Sequence, residues 1–140
     1  MVILPKLFYE QICLHAEAAY PEECCGLLLG KTTGNDKSIE DVWETENVAE
    51  AQRNRRYCVP PRALLDADNQ VRKKGLEVIG VYHSHPDHSA EPSRFDRTRA
   101  LIQFRYLIVS ILDGQVAEMK CWILQDLDST FECEKLRIAI

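Results

Sequence analysis

Three of the four histidines in this chain, His83, His85 and His88, fall within six residues. They directly follow a run of apolar residues that predicts a buried strand. In an extended segment the side chains at i and i+2 point to the same face, so His83 and His85 can present two imidazoles to one metal ion. Imidazole is the commonest metal ligand in proteins. A bare His-x-His is equally compatible with surface histidines that only form hydrogen bonds.

A serine and an aspartate, Ser93 and Asp96, follow the histidines at the predicted start of a helix. Their three-residue spacing lets both side chains face the histidines. In isolation this spacing is that of a helix capping box. Beside two histidines, the Asp96 carboxylate completes a three-ligand set and leaves a fourth tetrahedral position for water, as in catalytic zinc sites. Iron oxygenases use the same types of ligand, so the set alone does not select zinc.

Two adjacent glutamates are candidates for the proton transfer that a zinc hydrolase requires. A metal makes water more acidic, but a nearby carboxylate must still accept its proton and pass it to the leaving amine. Glu22 and Glu23 directly precede the apolar run at residues 25–30, which could form a strand beside the one that carries His83. Without the metal motif, the same pair is interpreted as solvated residues after a helix.

Two other metal folds share parts of this pattern. Residues 83–88 match the H-x-H-x-D-H string of metallo-β-lactamase-like hydrolases, in which Asp87 would be a ligand. Those proteins resemble a longer duplicated sandwich and need further ligands downstream, but no histidine follows His88. A cupin needs a different spacing and a second histidine on a later strand. Asp96 is therefore the expected carboxylate ligand.

Taken together, the motifs resemble the JAMM, or MPN-plus (Mov34/MPN/PAD-1), zinc metallopeptidase family. The matching segments are His83-Ser84-His85-Pro86, then Ser93-x-x-Asp96 after six intervening residues, and upstream Pro21-Glu22-Glu23-Cys24-Cys25-Gly26. The resemblance covers nearly the whole chain, in the right order and spacing. It is specific because three separated segments agree.

The resemblance assigns a role to each of five residues. It implies that His83, His85 and Asp96 bind one zinc ion per chain. It implies that Glu23 is the general acid and base, and that Ser93 helps to stabilise the tetrahedral oxyanion.

The same resemblance leaves two neighbouring residues without a role. Glu22 becomes a bystander, and His88 falls outside the family pattern, at the rim of the site.

The fold and substrate implied by the resemblance are those of a compact bacterial member. We expect one domain over residues 1–140, with an MPN/JAMM-like, cytidine-deaminase-like α/β fold in which helices flank a mixed β-sheet. Such members resemble peptidases that cut after the C-terminal Gly-Gly of a ubiquitin-like sulfur-carrier protein and release cysteine or a short extension. The alternatives are a non-catalytic MPN scaffold and a zinc hydrolase that acts on other small amides.

Hydrophobic periodicity predicts the elements that position these residues. The predicted helices cover residues 5–19, residues 61–75 and a short segment behind Ser93. The predicted strands cover residues 25–30, 39–45, 57–59, 76–82, 106–112 and 115–124, with a last strand between 131 and 138. Asp113-Gly114 is the strongest hairpin signal. This order indicates a mixed α/β domain.

Composition limits the partners and the compartment. A net charge of −5 and a pI near 5.4 argue against nucleic-acid binding. No apolar run approaches the roughly 20 residues of a membrane span. Without a secretory signal, the six cysteines are expected to be reduced core residues of a cytoplasmic protein. Exposed sheet edges would allow a homodimer.

Two local clusters of arginines stand out against the acidic composition. Arg53, Arg55 and Arg56 form the first cluster, and Arg94, Arg97, Arg99 and Arg105 form the second. We interpret both as solvated faces, with docking of a partner as the alternative.

Overall fold

The computed structural model describes residues 1–140, and a mixed sheet of eight strands places the histidine segment at its centre. The strands are β1 (Val2–Pro5), β2 (Cys25–Thr33), β3 (Asp36–Thr45), β4 (Glu77–Pro86), β5 (Arg105–Leu112), β6 (Gln115–Ile123), β7 (Glu132–Glu134) and β8 (Leu136–Ala139). The helices are α1 (Lys6–Ala19), α2 (Pro61–Arg72) and α3 (Arg94–Arg99). The strand order is β7-β6-β5-β4-β2-β3-β1-β8, so β4 and β2 are the central strands.

Helices cover both faces of the sheet because its central strands are apolar on both sides. Along β2, Leu28 belongs to the apolar cluster that contains Ile12 and Ala16 of α1. Leu27, one residue away, belongs to the opposite cluster, which contains Ala67 of α2. This alternation follows from the two-residue period of a strand. Burying a leucine side chain completely contributes roughly 1.5–3 kcal/mol, so the two faces fix the register of β2.

The parallel pair β4–β5 brings the third helix to the histidines. His83 of β4 is paired with Cys25 of β2 on one side and with Ile108 of β5 on the other. Parallel neighbours need a crossover connection, and α3 lies within it. A helix in that position begins close to the C-terminal end of β4, where His83 and His85 lie.

The strands of the structure differ from the prediction in three places. Residues 57–59 form no strand, because the Cys58 amide donates to the Asn47 side chain (3.1 Å) and the Cys58 carbonyl accepts from the Val48 amide (3.0 Å) within a loop. The single strand predicted within 131–138 is two strands, β7 and β8, separated by Lys135. Strand β1 was not predicted, since four residues carry little periodicity.

Strands β7 and β8 lie at opposite edges of the sheet although only one residue separates them. Strand β7 pairs with β6, and β8 pairs with β1. The sheet must therefore curl until its two edges meet near Lys135.

The predicted fold class is confirmed: helices flank one mixed β-sheet in an α/β arrangement. The three predicted helices and the strands at the remaining predicted positions are also confirmed, with ends that shift by a few residues. None of the helices combines the length and apolar character needed to cross a membrane.

Candidate metal centre

Two buried imidazoles converge at the end of β4. His83 and His85 are 0% and 1% exposed, and their Nε2 atoms are 3.2 Å apart. They lie on the same face because they are two residues apart in a strand, as the sequence predicts. Two imidazole nitrogens that point at each other at this distance are arranged as ligands are around a cation.

Asp96 supplies a third donor atom at the same point. Its Oδ2 lies 3.2 Å from Nε2 of His83 and 3.0 Å from Nε2 of His85. Ligand atoms that are about 2.0 Å from a tetrahedral zinc ion are about 3.3 Å from one another. The three atoms therefore form a triangle of nearly the size that one face of a zinc tetrahedron requires.

Neighbouring groups fix the orientation of both rings. The Nδ1–H of His85 donates to the Ser89 carbonyl (2.8 Å), which leaves the lone pair on Nε2 facing Asp96. The ring of His88 stacks on His85 at 4.2 Å, and the ring of Tyr57 stacks on His83 at 4.2 Å. The rings are therefore held in place before any ligand binds.

Ser93 and Asp96 form the capping box of α3 while Asp96 faces the histidines. The Asp96 amide donates to Ser93 Oγ (3.0 Å), and the Ser93 amide donates to Asp96 Oδ2 (2.9 Å). The two interpretations of this motif, cap and ligand, are thus compatible in one geometry. The cap also explains why Asp96 can point inward from a helix of only six residues.

The protonation states of these groups suit metal binding. Burial lowers the pKa of His83, which keeps its imidazole neutral. Burial alone would raise the pKa of Asp96, but the electrostatic influence of the adjacent imidazoles, His83 first, and the hydrogen bond from the Ser93 amide hold that pKa well below its usual range. Neutral imidazoles and an ionised carboxylate are the forms that bind metals.

Glu23 completes the cluster as a buried carboxyl group without a hydrogen bond at one oxygen. Its side chain is 2% exposed, and candidate ligand atoms of Glu23, His83 and His85 all lie within 4.8 Å of one another. Its Oε1 has no hydrogen-bond partner, and neither has Nδ1 of His83. Burial raises the pKa of Glu23 to about 9, and the nearby Asp96 carboxylate adds to the shift. This unpaired oxygen and the donor set fit a zinc ion with an associated water.

Two residues that the sequence analysis missed hold Glu23 in place. Ser84 lies between the histidines, and its Oγ accepts a hydrogen bond from the Cys24 amide (2.8 Å) while its own amide donates to the Cys24 carbonyl (3.2 Å). Asn47 donates from Nδ2 to the Glu23 carbonyl (3.0 Å). The Glu23 amide also donates to the Arg53 carbonyl (2.7 Å), so both the amide and the carbonyl of Glu23 are held by hydrogen bonds.

Asn47 also closes the loop that follows β3. Its Oδ1 accepts from the amides of Ala49 (3.0 Å) and Cys58 (3.1 Å), and its Nδ2 donates to the Arg56 carbonyl (3.0 Å). A single asparagine in a polar segment gives no sequence signal of this role. Ser84 gave a weak sequence signal, because it is a polar residue in a strand that is buried along most of its length.

The remaining candidates lie outside the donor cluster. Glu22 is exposed, as expected of a bystander. The Asp87 carboxylate accepts from the Tyr20 hydroxyl (2.6 Å) and the Asp113 amide (2.9 Å), so it is engaged between loops and does not contact the histidine pair. His88 is exposed and lines a groove beside the site.

The chain is similar in sequence to a known family and to individual proteins. Residues 5–125 match the family model of prokaryotic homologs of the JAB domain. The chain is 30% identical over 108 residues to a probable TtuB-protein conjugate cleaving protease of Thermus thermophilus, a match that covers 77% of this chain and 69% of that protein. It is 31% identical over 96 residues to a desampylase of Haloferax volcanii, covering 69% of this chain and 67% of that protein.

A solved structure agrees over the full length. The solution structure of a protein from Desulfitobacterium hafniense superimposes with a TM-score of 0.85 at 30% identity, covering 99% of this chain and 92% of that chain. The family model and the matching relatives confirm the predicted resemblance. Since the family model spans most of the sequence, the chain belongs to the prokaryotic homologues of the JAB domain.

Proposed function

We propose that this chain is a zinc-dependent JAMM-type metallopeptidase. It hydrolyses an amide or isopeptide bond after the C-terminal Gly-Gly of a ubiquitin-like sulfur-carrier protein and releases cysteine or a short extension. The observation that supports this most directly is the convergence of His83 Nε2, His85 Nε2 and Asp96 Oδ2 beside the unpaired carboxyl group of Glu23. Family membership supports hydrolysis, and one relative is named for cleaving protein conjugates.

The ligand set would be His83, His85 and Asp96, with one zinc ion per chain. When bound, zinc would supply Lewis acidity, which polarises a carbonyl group and makes a water molecule more acidic. The three donor atoms lie 3.0–3.2 Å apart, and a tetrahedral ion held by three protein ligands would keep a fourth position for water or substrate.

Glu23 moves the proton. Its carboxylate accepts a proton from the attacking water at Oε1, the atom that has no other partner, and then donates that proton to the departing nitrogen. In the metal-free chain burial raises the pKa of Glu23, and the positive charge of a bound zinc ion would lower it again and favour the carboxylate form that takes the proton. A positioned acid and base of this kind accelerates a reaction by about 10²–10⁴-fold.

Ser93 orients the carbonyl oxygen of the scissile bond. A hydroxyl has one donor and two acceptor sites. Because Ser93 Oγ accepts from the Asp96 amide, its position is fixed while its O–H stays free to donate to a developing oxyanion. Removing one such donor costs about 10²–10³-fold in rate.

Metal content and hydrolysis test the proposal together. The purified protein should contain about one zinc per chain, and a Gly-Gly-ended carrier protein with a C-terminal cysteine should lose the mass of that cysteine on incubation. A chelator should stop the reaction, and added zinc should restore it. Protein that binds no zinc after reconstitution would refute the zinc assignment.

The Glu23→Gln variant tests the proton-transfer role. It should keep its zinc and lose at least about 100-fold in rate. The matched control is Glu22→Gln, because Glu22 is the neighbouring residue but is exposed. Turnover of Glu23→Gln at the wild-type rate would show that Glu23 does not transfer the proton.

Three further expectations remain predictions. A single domain over residues 1–140 agrees with a sheet whose strands run from Val2 to Ala139. A cytoplasmic setting agrees with free thiols at all six cysteines. A homodimer formed by pairing of edge strands is disfavoured, because the edge strands β7 and β8 have only three and four residues.

A further inference from the structure

We propose that Arg55, Arg56 and Arg94 bind the free C-terminal carboxylate of the leaving group. The enzyme would then release short C-terminal extensions in preference to cleaving lysine-linked conjugates. This inference rests on the proposed function and specifies its substrate class.

A polar groove with a volume of about 660 Å³ adjoins the metal centre. His88 and Ser93 are among the residues that line it. His88 stacks on the metal-ligand candidate His85, and Ser93 caps the helix that carries Asp96. A chain that lies in the groove therefore leads directly to the reacting atoms.

The groove has an excess of positive charge although the protein is acidic overall. Arg55, Arg56 and Arg94 line it, are exposed, and have no carboxylate within 4.0 Å. The guanidinium of Arg56 lies over the Phe95 ring at 4.6 Å, which leaves its edge free for hydrogen bonds. A cleft lined by charges of one sign concentrates ligands of the opposite sign.

The only acidic residue that lines the groove forms no ion pair with these arginines. Both oxygens of Asp87 are engaged, one by the Tyr20 hydroxyl at 2.6 Å and the other by the Asp113 amide at 2.9 Å. The three guanidinium groups are therefore available to an external anion. Guanidinium binds carboxylate in a planar, two-bond geometry, so a carboxylate is the anion that fits a peptide substrate.

The chemistry of the substrate places that carboxylate on the leaving group. A Gly-Gly tail has no side chains, and its own terminal carboxyl group is part of the bond that is cut. A lysine leaving group presents its nitrogen on an aliphatic chain without an anion. Only an extension of one or a few residues brings a free carboxylate within a short distance of the scissile bond.

Paired substrates test this inference. The carrier protein with a Gly-Gly-Cys end is compared with the same protein ending in the cysteine carboxamide, and with a lysine-linked conjugate. The wild-type enzyme should prefer the free carboxylate by about tenfold or more in kcat/KM. In the triple variant Arg55→Gln, Arg56→Gln, Arg94→Gln the ratio of kcat/KM for the free acid to kcat/KM for the carboxamide should fall to about one.

The matched control is Arg137→Gln, an exposed arginine on the distant edge strand β8, which should keep the wild-type preference. Equal rates on the acid and the carboxamide would overturn the carboxylate site while the proposed function stands. If acidic residues of the carrier lowered the KM equally for the acid and the carboxamide, the arginines would bind the carrier and not the leaving group. That result would also overturn the inference. Hydrolysis of none of the three substrates by the zinc-loaded enzyme would overturn the proposed function and this inference with it.

Discussion

Replacing Glu23 with glutamine should make the metal-free protein more stable, increasingly so as the pH rises. The Glu23 carboxyl group is buried, and one of its oxygens has no hydrogen-bond partner. Burial, together with the Asp96 carboxylate, raises its pKa from 4.5 to about 9 in the folded chain. A glutamine amide has the same shape as the protonated acid and does not titrate.

The size of the effect follows from proton linkage. Above pH 4.5 the unfolded chain releases the Glu23 proton, whereas the folded chain keeps it up to a pH of about 9, so stability falls with rising pH throughout this window. Each pH unit is worth about 1.4 kcal/mol, which gives a penalty of about 3 kcal/mol at pH 7. Glu23→Gln avoids this penalty. Its advantage should be near zero at pH 4.5 and should correspond to about 10 °C in Tm at pH 7.

Urea denaturation in the presence of a chelator measures this difference. Wild type, Glu23→Gln and the exposed control Glu22→Gln are compared between pH 5 and pH 8. The control should follow the wild type, and the Glu23→Gln midpoint should move away from both as the pH rises. Parallel curves for wild type and Glu23→Gln would refute the assignment of a buried, neutral carboxyl group at this position. Stability and hydrolysis should thus change in opposite directions in one variant.

Three further substitutions test the surroundings of the site. Ser84→Ala leaves the buried Cys24 amide without its 2.8 Å acceptor and should cost about 1–3 kcal/mol in urea denaturation, with a lower kcat because Glu23 is less well held. Asp96→Asn removes the charged donor and should reduce the zinc content, measured by elemental analysis, to below about one tenth, since mutating a ligand costs more than the 10–100-fold of a supporting residue. Gly80→Ala places a methyl group against the Arg105 carbonyl of β5 and should cost at least about 3 kcal/mol of unfolding free energy, again measured in urea.

The sequence predicts the central part of the fold because its signals there are local. A buried strand that ends in His-x-His fixes the direction of both imidazoles through its two-residue period. The Ser93-x-x-Asp96 spacing likewise predicts the start of α3. Both signals lie within a few residues, so no knowledge of distant contacts is needed.

The parts that were not predicted depend on long-range contacts. Residues 131–138 carry one apolar pattern, but they divide at Lys135 because each half pairs with a strand at a different edge of the sheet. Asn47 acts through partners at Glu23, Arg56 and Cys58, which no local pattern reveals. The freedom of the groove arginines from ion pairs is likewise a property of the folded surface alone.

The double use of Asp96 ties the stability of α3 to metal affinity. One oxygen atom, Oδ2, both accepts from the Ser93 amide and faces the two histidines. A helix of six residues is too short to be stable alone, so its formation depends on such contacts. Binding of an ion at the site and folding of the segment that connects β4 to β5 are therefore thermodynamically coupled. Each favours the other by the same free energy. Affinity for the ion is then a property of the whole segment 87–99, and substitutions there can tune it without touching a ligand.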